Sequence, residues 1–418
     1  MEVAVAEKAV GIEFYATPGR RCQGRAKSTP EDFRVEEVIS TEGVVAEWKP
    51  GTLPLYRVEK RFIDTMHMAR ELEGELKSRV SYSGLKDSAA VAVQYVTPTS
   101  TKAARPLEIV KPKFRASLVG FLPRPLSRTS ALANKFTVTI RDCCPEVGDR
   151  VSEALHVAAA RRVPNYFGLQ RFGKFGGGTH LIGKALVKGE FDRSVRLLLE
   201  GGRPSDGGEA YEAMTAGSYE EASRLLPPGR DVEILVAREL GRHPGEWVRA
   251  LRAVPVRLRR FYVQAYQSFI YNKALSRALD RGEDISAPEK GDNWAEATPD
   301  GLMLSNVRGV REEPPGGAIP LIQLVGYAYR DYGSRFDRCI KETLESEGVV
   351  PAQYYVKDMQ EISAEGGFRR PHLALKDASW KGDGTTVTLG FTMARGQYAT
   401  VLLREVLKPS DPVETGLV

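Results

Sequence analysis

The sequence predicts an α+β fold in which both chain ends build one domain and a second domain is inserted between them. Three observations lead there. Residues 1–160 read as strand-rich, the middle as helix-rich, and strand texture returns after Gly366-Gly367. A strand at the end of a chain is not stable alone, so the last one must join the first region. The length of 418 residues exceeds one ordinary domain and falls short of three. The expected division is 1–159 with 371–418 for the discontinuous domain and 160–370 for an inserted α/β domain.

The elements follow in order. Phe33-Arg34-Val35-Glu36-Glu37-Val38 alternates apolar and polar, as a half-buried strand does. A helix is predicted between this strand and the next, because Met68, Leu72 and Leu76 recur at four-residue spacing and Asp64 or Thr65 can cap its start. Strands at 91–96 and 136–140 come next, then a helix over 147–161 with Val147, Val151, Leu155 and Ala158 on one face. The texture changes near Pro164, and the glycine-rich 173–178 is expected to be flexible. Helical patterns occupy 182–187, 191–199 and 219–226. The longest, 258–279, carries a stripe of Val263, Tyr266, Ile270, Ala274 and Ala278. Residues 286–320, rich in Gly, Pro and Asp, are predicted irregular. A strand over 385–391 and a helix over 398–408 close the fold, and the polar tail 409–418 is expected to fray.

Composition removes several function classes. With 42% hydrophobic and 27% charged residues the chain is neither disordered nor membrane-spanning, since no apolar run approaches the roughly 18 residues a spanning helix needs. Residues 1–8 carry two acids and no basic-flanked apolar stretch, so an intracellular, cytoplasmic protein is expected. The four cysteines, Cys22, Cys143, Cys144 and Cys339, form no CxxC pair. They are expected to be small buried hydrophobes, with neither a zinc site nor a disulfide scaffold. Five scattered histidines make no HxxxH or HxH, so no metal is expected. No fixed-period repeat is visible. The net charge is +6, and 40 of the 60 basic residues are arginine, whose guanidinium fork matches phosphate.

Five segments carry the chemistry. Gly84-Leu85-Lys86-Asp87 is a charged turn leading straight into an apolar strand, where Asp87 faces solvent or a cleft; the ordinary reading is a turn former. In Asn134-Lys135-Phe136 an amide and an aromatic share one strand face, suited to reading a base edge and stacking on its ring, or equally a turn and a core Phe. Asn165-Tyr166-Phe167-Gly168-Leu169-Gln170-Arg171-Phe172-Gly173 interleaves aromatics with amides and Arg171, as a surface for a polar polymer or a tight domain junction does. Arg257, Arg259 and Arg260 run into the aromatic helix Phe261-Tyr262 to Asn272; they offer a phosphate-binding face or a solvated charge run. Tyr398 stands at a strand-to-helix junction after a glycine turn. None of the segments is a Walker loop, a dinucleotide fingerprint or a Ser-His-Asp set.

Taken together, these segments resemble the TruD family of tRNA pseudouridine synthases, in the family's order, from Glu31-Asp32-Phe33 to Arg404. The stretches beginning Gly84 (GLKD), Asn165 (NYFGLQRFG), Ala265 (AYQSFIYN) and Tyr398 (YATVLLRE) carry it most closely. The resemblance implies the pseudouridine-synthase fold around a largely antiparallel sheet, with a family-specific insertion. It implies isomerisation of a tRNA uridine, typically position 13, without metal or cofactor. Asp87 matches the catalytic aspartate. Phe33, Asn134 and Tyr398 match positions that contact the target uridine, and Lys27 matches a basic position near the site. Ser88 and Ala133 depart from the common basic residue and glycine, and residues 200–230 and 280–320 match little.

The reaction breaks the N1–C1′ bond, turns the uracil and joins C5 to C1′. A carboxylate can serve as nucleophile or base, and a flipped base needs an aromatic to stack on and an amide to read its edge. Lys86, Lys27 and Arg404 are candidate basic partners for the carboxylate. The expected partner is tRNA, and the expected state a monomer. A non-catalytic RNA-binding protein would share the basic patch but not need Asp87. A glycosidase would need a second carboxylate across the site, and no paired-acid motif is present.

Overall fold

The structure is a computed structural model that describes residues 2–86, 88–127, 129–173, 178–201, 208–298, 301–309, 312–382 and 384–418. Asp87 and most of the glycine-rich 173–178 segment therefore lie outside the described residues. The strands up to the middle of the chain are β1 Arg25–Ala26, β2 Phe33–Ile39, β3 Leu53–Lys60, β4 Val80–Tyr82, β5 Val91–Pro98, β6 Glu108–Lys111, β7 Phe114–Leu122 and β8 Ala131–Arg141. They are followed by β9 Asn293–Ala297, β10 Leu304–Arg308, β11 Ile319–Leu324, β12 Gly367–Arg369, β13 Leu375–Gly382 and β14 Val387–Ala394.

Ten strands form one sheet in the order β13-β14-β8-β2-β5-β3-β7-β6, with β1 on β8 and β4 on β5. Among the described residues β2 with β5 is parallel and the other pairings are antiparallel. The fold is thus mixed α+β with a largely antiparallel sheet. The last strands complete the first region: β14 pairs with β8 from Val387↔Ile140 to Ala394↔Ala133. A separate sheet, β10-β9-β11-β12, lies in the middle of the chain. The helical region packs around Val256–Asp280, which lies against Thr179–Lys188 and Arg335–Glu347. That first crossing needs Gly183, where a Cβ would stand 2.0 Å from the Tyr262 carbonyl oxygen.

Five sequence expectations are corrected. Residues 286–320 are not irregular: β9 and β10 run through them, joined by the start of β11. Cys22 and Cys144 are bonded to each other, tying residues 122 apart, whereas Cys143 and Cys339 are free and buried. Adjacency to Cys143 hid that pairing, because sequence spacing does not show which chain segments fold together. The tail does not fray: Ala26 N donates to Thr415 O, Leu417 is buried, and a Cβ on Gly416 would meet Ala26 O at 2.0 Å. Arg259 is not on a surface. It is 6% exposed, donates from Nε to Val254 O, and pairs with Glu361. Arg404 is also buried, and Glu7 and Glu405 take its guanidinium.

Candidate active site

Strand alternation builds one face of the site. Phe33, Val35, Glu37 and Ile39 point inward along β2, and the register sets Phe33 opposite Val138, Val35 opposite Phe136 and Glu37 opposite Asn134. Directly opposite residues share a face, so the two phenylalanines, Glu37 and Asn134 converge. The Phe33 and Phe136 rings meet edge-on at 5.9 Å, and Phe136 stacks on Phe391 of β14 at 5.4 Å. Lys27 Nζ lies 4.9 Å from the centre of the Phe33 ring. This aromatic row is rigid because each ring is packed on the next.

Lys86 enters from the loop between β4 and β5. Its ammonium donates to Oδ1 of Asn134 and lies 3.9 Å from Oε1 of Glu37. Burial pushes the Lys86 ammonium below its usual range, against the pull of Glu37. Burial likewise raises the Glu37 carboxyl, which Lys86 and the Tyr95 N–H partly offset. The pair persists because each charge compensates the other where both side chains are buried.

The same loop is tied on both sides of Asp87. Lys86 N donates to Oγ1 of Thr65 at 2.9 Å, and Lys60 Nζ donates to Lys86 O at 3.1 Å. Phe62 N donates to Ser88 O at 3.1 Å. Lys60 is 1% exposed and also donates to Ile63 O, while Thr65 Oγ1 donates to Oε1 of the buried Gln94. Asp64 caps the helix Thr65–Leu76 through the Met66 and His67 amides, which fixes Thr65 in its first turn. A cleft of about 590 Å³ opens at Ser88, with Phe62, His67 and Lys113 among its lining residues.

Tyr398 sits in a second cluster. It stands four positions after Ala394, which pairs with Ala133 beside Asn134. It is the N-terminal cap of the helix Ala399–Leu407, and its ring meets Phe167 at 6.1 Å. Arg369 locks this junction: it lies 4.0 Å over the Phe167 ring, donates to Gly396 O at 2.7 Å and to Oδ1 of Asn165 at 2.7 Å. Arg171 lies 4.9 Å from the Phe261 ring centre and donates to Gln264 and Ser268. Arg257 and Arg260 are exposed at the start of Val256–Asp280, with Arg260 Nε donating to Glu361 O.

The structure therefore joins Lys27, Phe33, Lys86, Asn134 and Phe136 in one cluster, and Tyr398 with Arg171 in a neighbouring one. Sequence reasoning missed Glu37, Lys60, Thr65 and Arg369 as site residues. Glu37 had a signal, a charge on the apolar side of a strand's alternation. Among the described residues no group of three or more His, Cys, Asp or Glu could hold a metal ion, and no helix is long and apolar enough to cross a membrane.

Three comparisons bear on this geometry. A family model described as tRNA pseudouridine synthase D (TruD) matches residues 9–406. A Pyrobaculum arsenaticum protein named "Probable tRNA pseudouridine synthase D" is 32% identical over 98% of both chains. A Methanopyrus kandleri protein of the same name is 33% identical over 85% of this chain and 86% of that one. A Methanosarcina mazei crystal structure titled "Putative tRNA pseudouridine synthase D (TruD)" superposes with a TM-score of 0.80 at 25% identity, covering 99% of this chain and all of the other.

Proposed function

We propose that this chain, which belongs to the TruD family of tRNA pseudouridine synthases, isomerises uridine in tRNA to pseudouridine, with position 13 as the target. The observation that carries the site assignment is the convergence of Phe33, Phe136, Asn134 and Lys86 on one sheet face, beside a loop anchored on both flanks of Asp87. Asp87 supplies the single carboxylate the reaction needs, as nucleophile or base, a role supported by its place in the Gly84-Leu85-Lys86-Asp87 motif.

The target uridine must leave its stack to reach Asp87, and unstacking costs a few kcal/mol. Phe33 and Tyr398 provide aromatic surface for the flipped base, and Asn134 reads its edge. Lys27, above the Phe33 ring, adds positive charge where the carboxylate and the RNA backbone meet. Arg171, Arg257 and Arg260 extend the basic surface toward the tRNA. Residues 1–159 with 371–418 form the catalytic unit and 160–370 the insertion; the enzyme works as a cytoplasmic monomer without metal or cofactor. The test is tritium release from 5-tritiated uridine tRNA by the purified protein, with pseudouridine mapped in the product. C5 loses its hydrogen when it bonds to C1′, so release reports turnover. A protein that binds tRNA but releases no tritium would refute the reading.

A further inference from the structure

We infer that Lys86 and Glu37 decide which base the site accepts. They lock the Asn134 amide with its NH2 toward the substrate, so the site binds the O4 carbonyl of uracil and turns away the 4-amino group of cytosine. The inference rests on the synthase reading above and adds the polarity of recognition to it.

A primary amide offers an acceptor on one side and a donor on the other, and which side faces a ligand is set by its neighbours. An ammonium has three donors and no acceptor, so Lys86 Nζ can bond Asn134 only through Oδ1. The Nδ2 group is then left for the substrate; it has no hydrogen-bond partner among the described residues. Lys86 has little freedom to let go. Its side chain is 11% exposed, its backbone is fastened by Thr65 and Lys60, and the buried Glu37 carboxylate lies 3.9 Å from the ammonium. Glu37 is also opposite Asn134 across β2 and β8, so carboxylate and amide lie on one face with the ammonium in contact with both. Glu37 acts through Lys86, and Lys86 through Asn134, which makes both positioning residues.

Uracil O4 accepts a hydrogen bond from Nδ2. The cytosine 4-amino group donates, so it would set donor against donor beside the buried Lys86 and Glu37, where an unpaired group is costly.

The experiment uses the full-length protein and two tRNAs that differ only in U or C at the target position. Binding of both and tritium release from the uridine form are measured for wild type, Lys86→Met, Glu37→Gln and Asn134→Asp. Wild type should prefer U by about 10- to 100-fold, the scale of one buried hydrogen bond gained or left unpaired. Lys86→Met should reduce that preference at least ~5-fold and lower kcat more than it raises KM, because the amide can then turn. Glu37→Gln should move both in the same direction by a smaller factor. Asn134→Asp keeps the bond to Lys86 but presents an acceptor, so its preference should shift toward C. A merely structural role would lower the melting temperature and leave the U-to-C ratio alone. A wild-type ratio in Asn134→Asp together with either folded positioning variant would overturn the inference. Absence of tritium release by wild type would instead overturn the synthase reading on which it stands.

Discussion

Thr65→Val isolates the anchoring of the motif loop, because valine keeps the shape of threonine and loses only the hydroxyl. That hydroxyl accepts from Lys86 N at 2.9 Å and donates to Gln94 Oε1 at 3.0 Å. The second bond is fully buried, and Gln94 already has an Nε2 without a partner among the described residues. Losing it leaves a wholly desolvated amide. The first is partly buried, so water can replace some of it. No cavity opens, so the cost is that of two unmade hydrogen bonds, about 2–3 kcal/mol in all. Lys60 still holds the Lys86 carbonyl, and the loop should therefore loosen rather than unfold. Urea denaturation should show a lower midpoint at unchanged slope. Tritium release should show kcat reduced about tenfold, with tRNA affinity unchanged, since a displacement of the loop near 1 Å is enough to spoil a reacting geometry. Thr65→Ser, which retains the hydroxyl, should restore most of the turnover. Wild-type stability and turnover in Thr65→Val would refute the claim that this hydroxyl holds the loop.

Other predictions follow from groups outside the site. Burial pushes the His372 imidazole down to about 4 from the usual 6.5, so the folded state binds it neutral while the unfolded chain takes up a proton below about 6.5. Its stabilising contribution is whole above pH 6.5 and lost as the pH falls toward 4, about 3 kcal/mol across that window at ~1.4 kcal/mol per unit. His372→Asn should flatten the stability profile there, and an unchanged slope would contradict the assignment. Thiol titration of denatured, unreduced protein should find two free thiols, Cys143 and Cys339, and four after reduction. Reduction should cost about 4–5 kcal/mol of stability, given a loop of more than 100 residues. Four thiols before reduction would rule the bond out. Replacing Arg257 and Arg260 by Ala should lessen the salt dependence of tRNA binding by about 1–2 in slope, whereas Arg259→Ala should cost about 1–2 kcal/mol of stability by removing its bonds to Val254 O and Glu361, which keeps Arg252 beside it.

The sequence made some elements legible and hid others for physical reasons. The helix Thr65–Leu76 declared itself through its four-residue stripe and its Asp64 cap. The helix Val256–Asp280 showed the same kind of stripe, although it is buried nearly all round. Strand β3 did not show, because its near-continuous burial gives no alternation to detect. Strand β13 did not show for the opposite reason: it is exposed along almost its whole length and owes its form to pairing with β14. At the site, the motif residues were legible one by one, but their companions were not. Glu37 showed only as a charge on the apolar side of its strand, and Lys60 as an ordinary strand charge, until the sheet register set one opposite Asn134 and the Lys86 loop brought the other under its carbonyl. Arg259 failed in the reverse direction. Charge density along the chain cannot tell a free guanidinium from one folded onto Glu361.

The most direct test of the central claim is tritium release by Asp87→Asn beside wild type, on 5-tritiated uridine tRNA. The amide keeps the size of the side chain and removes the charge and the nucleophile. Phosphate contacts carry most tRNA affinity, so binding and the melting curve should stay near wild type. Turnover should fall below detection, because no neighbouring carboxylate in the motif can take over. Wild-type-like release by Asp87→Asn would contradict the account, however closely the chain resembles its family.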